Sequence, residues 1–243
     1  MRTIRPVVLA CAFACALTSA GAGAASLQIS PVSIAFKAGQ GAAAISLQNQ
    51  GDTPVYGQVR AYAWSQRDGE DVLVETTDVV VSPPIIEVAP RATQMIRLIL
   101  KSNAPSNVER SYRLLVDEIP RGGSEASGVD IRLRYSVPVF VAPSGDAAPV
   151  LAWTLYRQGN TANGAWMMRV SNTGRIHAQL GATALRNAAG TDFELSKGLF
   201  GYVLPGQQRV WKLPLAQDAK LQGQVTVQST VNARPETADA ATP

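Results

Sequence analysis

The chain has 243 residues, of which 46% are hydrophobic and 16% charged, with a formal net charge of +4. This length is enough for one large domain or two small domains that each bury a core. No run of basic residues interleaved with aromatic side chains occurs, so composition and charge give little support to nucleic-acid binding.

The first residues have the features of an export signal. Arg2 and Arg5 form a basic start, residues 7–17 are an apolar run, and residues 20–25 are small and offer cleavage sites. The apolar run is too short to span a membrane. We therefore expect residues 1–24 to be a removed signal peptide and the protein to have no integral membrane segment; a retained anchor is the alternative.

Both cysteines, Cys11 and Cys15, lie inside this first segment. A lipoprotein site at one of them is a further alternative, but the residues before each fit that motif poorly. Removal of the segment leaves a mature chain without thiols. It would then enter an oxidising compartment without disulfides, thiolate metal sites or a cysteine nucleophile.

The remaining sequence is typical of an all-β protein. Short runs of Val, Ile, Leu and Tyr alternate with Gly, Pro, Asn and Asp, and no long amphipathic helix is evident. The segment 142–149 is turn-prone and bracketed by prolines, which indicates a domain boundary. We predict one β-sandwich domain over residues 25–143, a second over 144–231, and a disordered polar tail over 232–243.

One predicted strand, at residues 129–141, is about twice the usual length. In its first half Val129, Ile131, Leu133 and Tyr135 are apolar and alternate with charged residues. Successive side chains of a strand point to opposite faces, so these four share one face. They either cover the core of their own domain or are offered to another molecule. The charged opposite face is hard to bury, which favours the second interpretation.

Motifs for catalysis are scarce in this sequence. His177 is the only histidine, so no histidine cluster can hold a metal, and a Ser-His-Asp triad would need this residue. No nucleophile elbow, phosphate-binding loop or His-Glu-x-x-His motif occurs. We therefore predict that the protein is not an enzyme and uses no cofactor or metal, and we interpret His177 as a surface or structural residue.

Several motifs, in order along the chain, resemble the PapD-like periplasmic chaperones of the chaperone–usher pilus pathway. Residues 82–98 resemble that family's strand E with its arginine, and residues 112–120 resemble strand F with its Glu-Ile-Pro signature. Residues 129–143 take the place of strand G and the hinge, and residues 168–174 are similar to a strand with an asparagine turn. The resemblance implies two immunoglobulin-like β-sandwich domains at an angle.

The resemblance also implies a function. A chaperone of this family binds a pilus or fimbrial subunit, an incomplete sandwich, and delivers it to an outer-membrane usher without a cofactor. It fills the subunit's groove with alternate apolar side chains of strand G, a known mode of strand addition. The matching donor positions are Val129, Ile131 and Leu133, with Tyr135 as a fourth. Without a subunit, this strand is also available for self-association with a second copy.

The best-known members of the family anchor the subunit's C-terminal carboxylate with two basic residues. Those positions fall on Ser33 and Pro138 here, so both basic groups are missing. This departure resembles the archaic, spore-coat-U-associated branch of the family. An arginine fork suits a carboxylate best. The candidate anchors are four arginines: Arg97, Arg113, Arg132 and Arg134.

The resemblance places two further residues at the interface between the domains. Glu118 matches a family glutamate that helps to fix the interdomain angle, and Asp218 aligns loosely with another member of that contact. The expected arginine partner at the hinge is Ala142 here, so the family's salt bridge is not transferred intact.

Two other classes of function remain as alternatives. A structural pilin or adhesin-type β-sandwich subunit would need a free N-terminal extension, whereas a predicted strand begins at Leu27. An exported hydrolase would have to use His177 and lacks a recognisable nucleophile motif.

Overall fold

The computed structural model of the protein describes residues 27–119, 132–160, 164–216, 218–221 and 223–242. Its regular structure within these ranges is strand, apart from a 3-10 turn at Gln158–Asn160. The strands form three sheets, which confirms the prediction of an all-β fold with two sandwiches. No helix in the described ranges is long and apolar enough to cross a membrane.

The first sandwich consists of two sheets. Its strands are β1 (Leu27–Ser30), β2 (Ile34–Phe36), β3 (Ala42–Asn49), β4 (Val55–Arg67), β5 (Glu70–Glu75), β6 (Val79–Ser82), β7 (Ile85–Val88), β8 (Thr93–Leu100), β9 (Arg110–Glu118) and β10 (Arg134–Val141). One sheet has the order β1-β3-β8-β6, and the other has the order β2-β10-β9-β4-β5, with β7 also paired to β4. Strands β2 and β10 run parallel, and β10 and β9 run antiparallel.

Alternation along the strands fills the core between these two sheets. Ile96 and Leu98 of β8 are buried from one side, and Leu114 and Val116 of β9 from the other. The residues between them point away from this core, because neighbouring side chains of a strand lie on opposite faces. Each large apolar side chain buried in this way contributes about 1.5–3 kcal/mol to folding.

The second sandwich is a single sheet that folds over on itself. Its strands are β11 (Leu151–Arg157), β12 (Trp166–Asn172), β13 (Ala178–Asn187), β14 (Asp192–Ser196), β15 (Gly201–Val203), β16 (Gln207–Lys212), β17 (Val225–Val231) and β18 (Arg234–Ala241). Their order is β14-β13-β17-β18-β11-β12-β16, with β15 paired to β13. Leu155 and Met168 of β11 and β12 meet Leu180 and Val227 of β13 and β17 in one core.

The prediction of a disordered tail over residues 232–243 is wrong. Asn232 and Ala233 turn the chain with φ values of 47° and 64°, and the following strand β18 pairs with every residue of β17. Ala240 packs in the second core. No apolar alternation in the sequence indicates this strand, because most of its side chains face solvent and are polar or small.

The strand predicted over residues 129–141 is shorter in the structure. β10 begins at Arg134, and the donor positions Val129 and Ile131 lie outside the described residues. The Leu133 carbonyl still accepts a hydrogen bond from the Glu118 N–H at 3.1 Å. β9 itself ends at Glu118.

Each sandwich contains a buried asparagine that holds a turn together. Asn49 ends β3 and Asn172 ends β12. The Oδ1 atom of each accepts a hydrogen bond from the backbone N–H two residues later, at 2.9 Å in both cases. The Nδ2 atom of each donates to backbone carbonyls of neighbouring segments. Because buried amides need partners, these bonds fix the turns that follow both strands.

Candidate functional site

The first half of β10 has an open edge. β9 pairs with all of β10, whereas β2 pairs with it only from Val139 onward. Antiparallel strands alternate in which residues bond to a given neighbour, and the Leu133 carbonyl bonds to β9. The backbone groups of Arg134 and Ser136 therefore point away from β9. Among the described residues no strand pairs with this part of the edge.

The apolar stripe of β10 changes its environment along the strand. Val137, Val139 and Val141 are buried in the core of the first sandwich, and Tyr135 packs half-buried against that core. The Leu133 side chain, further along the same face, is 38% exposed. The stripe thus covers the core of the first sandwich at one end and is exposed at the other. The first end fits the interpretation as a core strand, and the second end fits the interpretation as a strand offered to another molecule.

Arg113 lies beside the position of a missing anchor. Its partner across the β9–β10 pair is Pro138, which occupies one of the two positions expected to be basic. Residues directly opposite in a sheet share a face, with Cβ atoms about 4.5–5.5 Å apart. Ser33, the other expected position, immediately precedes β2 on the far side of β10. The structure therefore brings Arg113 next to a site that lacks its usual cation.

The guanidinium of Arg113 lies over aromatic rings. Its Cζ atom is 3.7 Å from the ring centre of Trp64 and 5.2 Å from that of Tyr202. Burial lowers the pKa of Arg113, and the nearby charge of Asp71 opposes this shift. Within the described residues its guanidinium forms no ion pair or hydrogen bond. A partly buried arginine without an ion pair among the described residues is stabilised when a carboxylate arrives.

The other three candidate anchors have different surroundings. Arg97 of β8 faces outward from the sheet that does not contain β10. Arg134 already forms an ion pair with Asp117 of β9. Arg132 is exposed in the segment just before β10. Of the four arginines, Arg113 has the position and the surroundings that best suit an incoming carboxylate.

Asp117 lies between two arginines on the same face of the sheet. Its Oδ2 atom is 2.7 Å from Arg60 Nη2, and its Oδ1 atom accepts a hydrogen bond from Arg134. Burial alone raises the pKa of Asp117. The hydrogen bonds and charges of the two arginines together outweigh burial, so this pKa lies below its ordinary value.

Replacing Asp117 with Asn should lower the free energy of unfolding by about 1 kcal/mol at neutral pH, because two charge-assisted bonds are lost at a partly exposed site. The folded-state pKa of Asp117 is depressed, so its contribution is complete above the unfolded pKa of about 4 and is lost as the pH falls through the folded pKa. Urea unfolding of both proteins at neutral and strongly acidic pH measures this. A difference that persists in acid would contradict the ion pairs.

The two sandwiches meet at a small core that the sequence did not reveal. It consists of Trp64 and Phe140 from the first sandwich and Tyr202 and Leu204 from the second. Trp64 and Phe140 lie on the faces of β4 and β10 that point away from the first core, where most neighbours are polar. A large aromatic residue on an otherwise polar face is the signal that indicates a second burial surface.

His177 is a structural residue at this junction. Its ring stacks on Phe140 with centroids 3.5 Å apart and an interplanar angle of 5°. Its Nδ1 atom is 2.8 Å from Glu109 Oε1, and its backbone N–H donates to the same oxygen at 3.0 Å. Glu109 immediately precedes β9, so this buried contact joins the two sandwiches.

The hairpin between β4 and β5 adds a further contact between the sandwiches. Asp68 and Gly69 have φ values of 53° and 81°, as in the tight hairpin turns that favour an Asp-Gly pair. The Gly69 carbonyl accepts hydrogen bonds from the Val210 N–H at 3.1 Å and from Arg209 Nη1 at 2.8 Å. Arg209 also forms an ion pair with Glu70 at 2.8 Å. The tip of this hairpin is therefore fixed on β16.

Replacing Gly69 with Ala should cost more stability than the same change at Gly39. Both glycines have positive φ, which costs an alanine about 1–2 kcal/mol. A Cβ at Gly69 would lie 2.7 Å from Val210 Cγ2, whereas one at Gly39 meets nothing within 4 Å. The clash should add about 1–3 kcal/mol to the loss in unfolding free energy. Denaturant unfolding of both variants measures this, and equal losses would contradict hairpin docking.

The interdomain role predicted for Glu118 and Asp218 does not fit their positions. Glu118 ends β9, at the opposite end from Glu109, and its carboxylate accepts a hydrogen bond from the backbone before β10. Asp218 is exposed beside Ala219, whose carbonyl accepts a hydrogen bond from Trp166 in the second core. The junction instead uses residues at the other end of β9 and on the β4–β5 hairpin.

Among the described residues, this surface combines the backbone groups of Arg134 and Ser136 that point away from β9, the exposed side chain of Leu133 and the partly buried guanidinium of Arg113. In the part of the chain that the structure describes, no group of three His, Cys, Asp or Glu side chains could hold a metal ion.

Comparisons with known proteins identify a family. Residues 26–146 match the family described as pili and flagellar-assembly chaperone, PapD N-terminal domain. No curated protein matches the sequence.

Solved structures extend the similarity along the chain. A chain in the CsuC–CsuE chaperone–tip adhesion subunit pre-assembly complex from archaic chaperone-usher Csu pili of Acinetobacter baumannii is 26% identical, with a TM-score of 0.70, covering 90% of this chain and 100% of that one. The YadV chaperone is 18% identical with a TM-score of 0.63, covering 88% and 98%. The Pseudomonas aeruginosa CupB2 chaperone is 18% identical with a TM-score of 0.58, covering 89% and 100%. The latter two share the fold. The chain therefore belongs to the PapD-like family of pilus-assembly chaperones.

Proposed function

We propose that this chaperone captures a pilus subunit by adding the open edge of β10 to the subunit's incomplete sheet. The observation that supports this most directly is the edge at Arg134 and Ser136, with which no strand of the described residues pairs; it is continuous with the exposed side chain of Leu133. The proposed donor positions are Val129, Ile131, Leu133 and Tyr135.

Strand addition accounts for both affinity and specificity. The main chain of the added strand forms hydrogen bonds with the subunit, and its alternate side chains enter the groove. Each large apolar side chain buried there contributes about 1.5–3 kcal/mol before ordering costs. A subunit without its last strand exposes free sheet edges, which aggregate unless they are covered. β10 therefore both completes and protects the subunit.

Pro138 marks the boundary between the two uses of β10. It stands immediately before the residues that pair with β2, and it has no N–H to offer on the open side. Residues after it pair with β2 as well as with β9, whereas residues before it pair with β9 alone and leave their other edge available to the subunit. In this arrangement the carboxylate at the subunit's C-terminus lies near Arg113, the cross-strand partner of Pro138.

The assignment to the archaic branch and the partners are part of this proposal. The similar complex from archaic Csu pili pairs a chaperone with a tip subunit, which supports a pilus subunit as the partner here. The absence of basic residues at Ser33 and Pro138 supports the archaic branch. The export signal expected at residues 1–24 supports a periplasmic location, and family membership supports delivery to an outer-membrane usher. When no subunit is present, the open edge is available to a second copy of the chain.

Co-expression in a bacterial periplasm tests the proposed function. The probe is a pilus subunit with an incomplete sandwich, produced with and without the chaperone. We expect a soluble one-to-one complex in the first case and aggregated subunit in the second. A peptide copying the subunit's own donor extension should then displace the chaperone. A subunit that is equally soluble alone, or a chain that enters the fibre itself as a pilin would, contradicts the proposal.

A further inference from the structure

The second sandwich reaches the proposed anchor directly. The ring of Tyr202 on β15 lies 5.2 Å from Arg113 Cζ and 5.4 Å from the Trp64 ring, which it meets edge-on at 78°. The Arg113 guanidinium is thus in contact with one ring of its own sandwich and one ring of the other. Burial raises the pKa of Tyr202, against the opposing charge of Arg113, so the neutral ring is what this cation meets.

Tyr202 is held in place by bonds that do not involve Arg113. Gln66 Nε2 donates to the Tyr202 carbonyl at 2.8 Å, and Gln66 Oε1 accepts from the Leu204 N–H at 3.0 Å. Gln66 lies two residues after Trp64 on β4, so these bonds tie β15 to the strand that supports the other ring. Breaking them would leave buried polar groups without partners. The backbone that carries the Tyr202 ring is therefore fixed relative to β4, and the ring itself packs edge-on against Trp64.

We infer that Tyr202 is a positioning residue for subunit capture: the second sandwich orients the Arg113 guanidinium toward the subunit's C-terminal carboxylate. The inference rests on the proposed function of the open edge and of Arg113. An arginine side chain has several rotatable bonds, and ordering them on binding weakens affinity. An aromatic face holds a desolvated cation in place before the ligand arrives. Capture by the first sandwich thus depends on a side chain of the second.

The test compares two forms of the subunit. One has its native C-terminus, and the other carries two additional glycines, which move the carboxylate away from Arg113. In the wild-type chaperone the affinity for the native form should be roughly 100-fold higher than for the extended form, the effect of a charge-assisted pair at a partly buried site. In Arg113→Met the ratio of the affinities for the native and the extended subunit should fall to about one. In Tyr202→Leu it should fall roughly tenfold, and in Tyr202→Phe, which keeps the ring, it should stay at the wild-type value.

Leu204→Ala is the matched control, because Leu204 belongs to the same interdomain core. Removing the Leu204 side chain should weaken the binding of both subunit forms equally and leave the ratio of their affinities unchanged. A Tyr202→Leu variant that behaves like Leu204→Ala overturns the inference and makes Tyr202 a packing residue only. If Arg113→Met keeps the wild-type ratio of affinities, Arg113 is not the anchor of the subunit's carboxylate, and the proposed role of Tyr202 is also wrong.

Discussion

Replacing Leu133 with Asp should abolish capture of the subunit and leave the chaperone folded. Leu133 is 38% exposed in the free protein, so the change should alter its unfolding free energy by no more than about 0.5 kcal/mol. In the complex the same position enters an apolar groove. Losing its burial there and desolvating a carboxylate should together cost at least about 3 kcal/mol, a loss of affinity of more than about 100-fold.

Pull-down of co-expressed subunit measures this effect, and thermal unfolding of the free chaperone checks its folding. Leu199→Asp is the matched control, because Leu199 is a 59% exposed leucine of the second sandwich, away from β10. It should capture the subunit normally. Adding Ile131→Asp to Leu133→Asp should deepen the defect. If a folded Leu133→Asp protein captured the subunit normally, Leu133 would not be a donor residue.

Replacing Arg113 with Met should weaken capture by about 3 kcal/mol, or roughly 100-fold, because the carboxylate loses its charge-assisted partner in a partly buried site. Methionine has a similar length and keeps a favourable contact between its sulfur and the Trp64 ring. The fold of the sheet should therefore be preserved. Titration of purified subunit–chaperone complexes with competing wild-type chaperone measures the change.

The other arginines serve as internal controls for this assignment. Arg97→Met changes an exposed side chain on the outer face of the other sheet and should bind the subunit like the wild type. Arg134→Met removes the ion pair to Asp117 and should reduce stability more than affinity. If Arg97→Met or Arg132→Met showed the larger loss of affinity, the anchor would lie outside the junction between the sandwiches.

Much of the fold is readable from the sequence because strand alternation is a local property. The period of two along β4 and along residues 129–135 predicts directly which side chains share an apolar face. Strands β5 and β18 gave no such signal, because most of their side chains are exposed. Each becomes a strand by antiparallel pairing with the strand that precedes it, β4 and β17 respectively.

The site was predictable only in part, for the same physical reason. The apolar residues of the open edge follow from alternation within one segment. The junction joins Glu109 to His177 and Gln66 to Leu204, pairs separated by 68 and 138 residues. Such contacts depend on how two finished sandwiches meet, which no local pattern describes. The choice of Arg113 among four arginines likewise required the register of β9 against β10.

The last strand of the second sandwich has a consequence for any shortened form of the protein. β18 lies between β17 and β11 in the sheet and adds Ala240 to its core. A chain cut after Asn232 would keep every residue of the first sandwich, but β17 and β11 would each lose the partner on one edge. It would then have the defect of the subunits that this family protects. The open edge of β10 in a full-length copy would pair with the strand edges exposed by the loss of β18. The full-length chaperone would then bind the shortened chain as it binds a subunit.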